Sequence, residues 1–110
     1  MIAFNYPAIR RVLKDLGHSP AVKGFDYIAE AVMLHESKNP KMMHVYSAIA
    51  KHHGVTPGSV ERAIRHAIKA STVRSDLILG RTVFGSRYDK ECHLTCAEYI
   101  RCIAYYLREV

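Results

Sequence analysis

Apolar residues recur at three- and four-residue intervals along most of the chain, and no stretch alternates apolar with polar as a half-buried strand would. The pattern is sharpest over residues 45–70, VYSAIAKHHGVTPGSVERAIRHAIKA. Val45, Ala48, Ile49 and His52 share helical spacing, and Gly54 is a helix stop, because glycine takes the left-handed conformation without steric cost. Thr56-Pro57 is a start signal: a capping hydroxyl, then proline at the first helical position. Val55 and Val60 stand at the two positions of a hydrophobic staple, which sets the angle at which the chain joins the helix. Val60, Ala63, Ile64, Ala67 and Ile68 form the inward stripe. Gly58, Arg62, Arg65 and Lys69 are left on the opposite face, flanked by Glu61 and His66. The sequence therefore predicts a helix, a short glycine-containing turn and a second helix that is basic on its free face. That is the pattern of a DNA-binding helix-turn-helix.

The rest of the chain reads as further helices around this pair. A first begins at Tyr6-Pro7, buries Ile9, Val12, Leu13 and Leu16, and ends at Gly17. Ser19-Pro20 has the form of a cap with proline behind it and predicts the start of a second helix, running to about residue 35. Phe25, Ile28, Ala29 and Val32 lie on one face of it and Tyr27, Ala31 and Leu34 on another, so it is expected to be central. Asn39-Pro40 begins the third helix, which continues through Met42, Met43, Tyr46, Ile49 and Ala50. The fourth ends near Ser71-Thr72-Val73, and a short fifth runs over 76–84 although Gly80 costs roughly 1 kcal/mol against alanine inside a helix. Residues 85–94 read as a polar loop. Thr95 and Glu98 form a capping box for a last helix that buries Tyr99, Ile103, Tyr106 and Leu107. The expected fold is all-α, a compact bundle of five to six helices containing the helix-turn-helix.

At 110 residues the chain is sized for one domain over 1–110, and with 49% hydrophobic residues it has enough apolar material for a core. The formal charge is +6 and unevenly spread: over residues 51–74 five cations, Lys51, Arg62, Arg65, Lys69 and Arg74, face only Glu61, a net +4. Such a concentration suits a polyanionic partner. No apolar run approaches the roughly 18 residues of a membrane-spanning helix. The opening residues lack the layout of a secretory signal. Three cysteines, an odd count, make no disulfide framework, so a reduced cytoplasmic setting is expected.

The run Val60-Glu61-Arg62-Ala63-Ile64-Arg65-His66-Ala67-Ile68 resembles the C-terminal DNA-binding (effector) domain of stage-zero sporulation protein A, the master sporulation response regulator of spore-forming Firmicutes. Tyr46, Ile49, Ala50 and Lys51 extend the resemblance, as do Lys23-Gly24-Phe25, Glu30-Ala31 and Phe84-Gly85. Glu98, Ile100 and Leu107 match more loosely, so it covers about residues 9–107. It implies a six-helix fold with the helix-turn-helix in the third and fourth helices, and binding to a short asymmetric DNA box, often as a tandem head-to-tail pair. It also implies that the helix over about 56–70 lies in the major groove, with Glu61, Arg62 and Arg65 near base edges and Ser59 and His66 beside the backbone. The connection before the third helix is about four residues shorter than the family's, and the loop over 86–94 differs; Arg87 and Lys90 there are candidates by charge alone. The family's usual N-terminal receiver domain has no room before the first helix, so an excised domain or a stand-alone protein without phosphorylation control is expected.

The chemistry of the residues is consistent with these roles. The arginine fork donates to guanine O6 and N7 together, and Arg62 and Arg65 project from neighbouring turns of one face. Glu61 either accepts from a cytosine amine or orients Arg65 one turn later. Lys51, His66 and Lys69 suit phosphate neutralisation, and Thr56, Ser59 and the amides of the helix start suit a phosphate oxygen. Cys92-His93, Cys96 and Cys102 lack the clean second ligand pair of a zinc site, and His52-His53 suits the negative end of a helix dipole, so no metal is expected. No nucleophile–base–acid set and no phosphate-cradling glycine loop is visible; neither an enzyme, a cofactor nor a small-molecule substrate is expected. The competing reading is a helical interaction protein that binds or blocks a regulator through Leu77, Ile78, Val83 and the last helix, without specific DNA binding.

Overall fold

Side chains cap most of the helices where the sequence places their starts. The computed structural model describes residues 5–35, 41–86, 88–89 and 94–109, which hold six helices and no strand. Asn5 accepts from the Ala8 amide at 2.9 Å and opens α1 (Tyr6–Asp15). Thr56 accepts from the Ser59 amide at 3.1 Å and opens α4 (Pro57–Thr72). Asp76 accepts from the Ile78 and Leu79 amides to open α5 (Leu77–Phe84). Thr95 and Glu98 close their reciprocal box at 3.1 and 2.9 Å ahead of α6 (Cys96–Glu109). Between α3 (Met42–His53) and α4 the chain turns in three residues, with Gly54 at φ 70°.

Two starts differ from expectation. Ser19-Pro20 does not begin α2 (Lys23–Leu34): the Ser19 hydroxyl accepts from the Ala21 amide and its carbonyl from the Val22 amide, closing a turn before the helix. Proline behind serine favours the first corner of such a turn as much as a helix start. The Asn39-Pro40 start lies outside the described residues, and α3 is helical from Met42.

One apolar core joins all six helices, with α2 at its centre, packed on α1, α3, α4 and α6. Gly24, Phe25, Tyr27, Ile28, Ala29, Ala31 and Val32 are buried, so α2 is covered on both of its apolar faces, though Leu34 at its end is exposed. The crossing with α4 is a backbone-to-backbone approach: a Cβ on Gly24 would lie 2.3 Å from the Ala63 carbonyl oxygen and 2.7 Å from the Ala67 methyl. Ala63 and Tyr106 are half-buried, and α3 buries Val45, Ile49 and Ala50 while Ala48 and His52 face solvent. The segment read as a wholly polar loop sends Tyr88 into the core, 1% exposed, where its hydroxyl donates to Ser75 at 2.6 Å and its ring stacks on Phe84. Gly80 is the reason this ring fits, since a Cβ there would lie 2.2 Å from it. The glycine that weakens α5 as an isolated helix thus makes room for its packing.

Candidate nucleic-acid interface

α4 is held by its apolar stripe, and that stripe decides what faces out. Val60, Ile64, Ala67 and Ile68 are buried, and half-buried Val55 packs against the core beside them as the staple requires. Arg62, Arg65, His66 and Lys69 are consequently exposed, as is Lys51 in the last turn of α3. Thr56 is exposed and Ser59 half-buried, their hydroxyls 2.8 Å apart, and Arg62 donates to Ser59 at 3.5 Å. Of the first amides of α4, proline has none and Ser59's goes to Thr56. Among the described residues this leaves the Gly58 N–H free to meet an anion at this end of the dipole.

Arg65 Nη2 donates to both carboxylate oxygens of Glu61, an i,i+4 pair on the exposed face. The pair is 56% and 31% exposed, and an ion pair so accessible contributes only ~0.3–0.5 kcal/mol to stability. What it does supply is a fixed direction for the guanidinium, which also lies within hydrogen-bonding reach of the Cys96 thiol.

Two groups that sequence reasoning treated as packing or left unassigned lie under this arginine. Tyr46 of α3 and Cys96 of α6 share a concave surface with Glu61, Arg65 and Lys69. Burial, with Cys96 beside it, pushes the Tyr46 phenol up to about 12. Burial also raises the Cys96 thiol, against a smaller opposing pull from Arg65. Both groups are therefore protonated at neutral pH and leave the charge of Arg65 to Glu61 and to whatever approaches from solvent. A second concavity is lined by Met43, Tyr46, Pro57, Gly58, Glu61, Arg62 and Arg65, so the N-terminal half of α3 forms one wall of the basic surface. No local signal marks Tyr46 or Cys96 in the sequence, because they stand 19 and 31 residues from Arg65.

The structure thus brings Thr56, Ser59, Glu61, Arg62 and Arg65 together, with Lys69 beside Arg65. Lys51 and His66 are placed only as exposed cations or donors on the same helix pair. Of the residues named for a protein partner, Val83 is buried and Leu77 half-buried, while Ile78 is exposed, as is Tyr105 on the last helix. Among the described residues no helix is long and apolar enough to cross a membrane.

The family model described as "Sporulation initiation factor Spo0A C terminal" matches residues 9–107, nearly the whole chain and all of the surface just described.

Proposed function

The chain belongs to the family of the sporulation initiation factor Spo0A C-terminal domain, and on that premise we propose that it is a sequence-specific transcription regulator that lays α4 in the DNA major groove. The family is one of DNA-binding effector domains, regulatory rather than enzymatic, and double-stranded DNA is its partner. One observation carries the finer reading: Arg62 and Arg65 stand exposed on neighbouring turns, Arg62 opposite the fully buried Val60 and Ile64 and Arg65 on the flank of that outer face. An α-helix whose inner face is locked in this way presents its outer face at a fixed angle, and the first turns of that face reach base edges.

In this proposal Arg62 and Arg65 donate to guanine edges in the major groove. Glu61 sits at the same base edges and braces Arg65. Thr56, Ser59 and the Gly58 amide take a phosphate at the N-terminus of α4, and Lys51, His66 and Lys69 neutralise phosphates on either side. Two copies bind tandem sites head to tail, as the family resemblance implies, and the protein acts in the cytoplasm, where a bacterial chromosome lies. Selecting bound sites from a pool of random duplexes tests the reading. A DNA regulator enriches one short asymmetric box and loses affinity steeply with salt. An interaction protein enriches nothing, and that outcome would favour the competing reading.

A further inference from the structure

The last turn of α3 ends in two adjacent histidines, and both reach the same carboxylate on α2. His52 Nδ1 lies 2.7 Å from Glu30 Oε1, and His53 Nε2 contacts Glu30 Oε2. Neighbouring residues on a helix point about 100° apart, so this convergence is not imposed by the helix. It arises because one ring uses its near nitrogen and the other its far one. The two rings are 4.7 Å apart, and Tyr27 meets the His53 ring edge-on at 5.0 Å. One nitrogen from each histidine and one oxygen of Glu30 all fall within 4.8 Å of one another.

We infer that Glu30, His52 and His53 form a binding site for a divalent transition-metal ion of the zinc class. Two imidazoles and one carboxylate are a donor set that zinc accepts with an open position, whereas magnesium and calcium prefer all-oxygen sets. The spacing suits the ion. Bonds of about 2.1 Å in tetrahedral array hold ligand atoms about 3.4 Å apart, so to admit the metal each histidine withdraws slightly from Glu30, and the two ring nitrogens, which lie within 4.8 Å of each other, settle at a similar spacing. The ion takes the place of the two N–H protons that now bind the carboxylate. Access is open, with the side chain of His52 71% exposed, while that of Glu30, at 19%, is anchored in the α2–α3 contact. The three ligands line a groove that Asp26 also borders, so water from the groove completes the coordination. The site is separate from the α4 arginines and does not rest on the DNA-binding proposal.

Zinc titration into the full chain by calorimetry tests this. The measurement uses a background in which Cys92, Cys96 and Cys102 are all changed to serine, to remove competing thiolates. Expected is one ion per chain, a rise in melting temperature with zinc, and a loss of roughly tenfold or more in affinity for each of His52→Ala, His53→Ala and Glu30→Gln. His52→Ala is the safest of these for folding because the position is solvent-exposed, and Co²⁺ in place of Zn²⁺ gives an optical report free of thiolate charge-transfer bands. No binding in the serine background, or binding of equal strength in all three variants, would overturn the site.

Discussion

Arg65 illustrates how a surface ion pair matters through direction rather than stability. The pair is solvent-accessible, Arg65 exposed and Glu61 partly so, and Glu61→Gln should change the unfolding free energy by no more than about 0.5 kcal/mol, measured by urea denaturation. The same change should weaken discrimination at the base pair that Arg65 reads, seen in a titration against single-base variants of the selected site. Lys69 and Lys51 are treated differently because each is a flexible point charge. Lys69→Ala and Lys51→Ala should weaken all duplexes about equally and each lower the salt slope by roughly 1. A third residue sets a pH dependence. Burial lowers His18 from 6.5 to about 4, and its ring lies 2.7 Å from the Tyr99 hydroxyl in the core. The folded state thus holds it neutral while the unfolded chain protonates it. That contribution is complete above pH 6.5 and is lost as pH falls toward 4. Between pH 7 and pH 5 the protein should lose roughly 2 kcal/mol of stability through this group. Urea midpoints at the two pH values should show a smaller difference in His18→Gln than in the parent.

At the scale of elements, α4 is legible in the sequence because its cap, its proline and its staple all fall within residues 55–60 and agree. Thr56→Ala should therefore cost about 1 kcal/mol in urea unfolding and also blur DNA binding, since the same hydroxyl holds Ser59. The start of α2 is not legible, because Ser-Pro closes a turn as readily as it caps a helix and only the hydrogen bonds of Ser19 decide. The α2–α4 crossing is hidden as well. Gly24 looks like a weak helical residue until Ala63 and Ala67 are seen against it. Gly24→Ala should destabilise by ~1–3 kcal/mol despite alanine's better helix propensity. Adding Ala67→Gly should restore only part of the loss, because the nearer obstacle is the Ala63 carbonyl of the backbone. Full restoration would mean that the two backbones are free to separate. Tyr88 shows the same limit, since an aromatic residue in a polar stretch is assigned to the core only when Gly80, eight residues earlier, is found opposite it.

For the whole molecule, the helical periodicity predicts five to six helices with the second one central; the described residues hold six, α2 at the centre, and the family match covers nearly the same span. The basic outer face of α4 is equally readable, because it is the complement of a strict apolar stripe. Contacts between elements are not readable: the phenol and thiol beneath Arg65 and the Glu30–His52–His53 cluster join residues 19 or more positions apart, which no local pattern links. The central claim is that the arginines of α4 read bases. It is tested most directly by titrating the parent chain, Arg62→Ala and Arg65→Ala against the selected duplex, its single-base variants and a random duplex at two salt concentrations. Each substitution is predicted to cost ~1–3 kcal/mol on the best site and to flatten the preference at one base pair, with much smaller losses on the random duplex. Full discrimination retained by both variants would contradict the account.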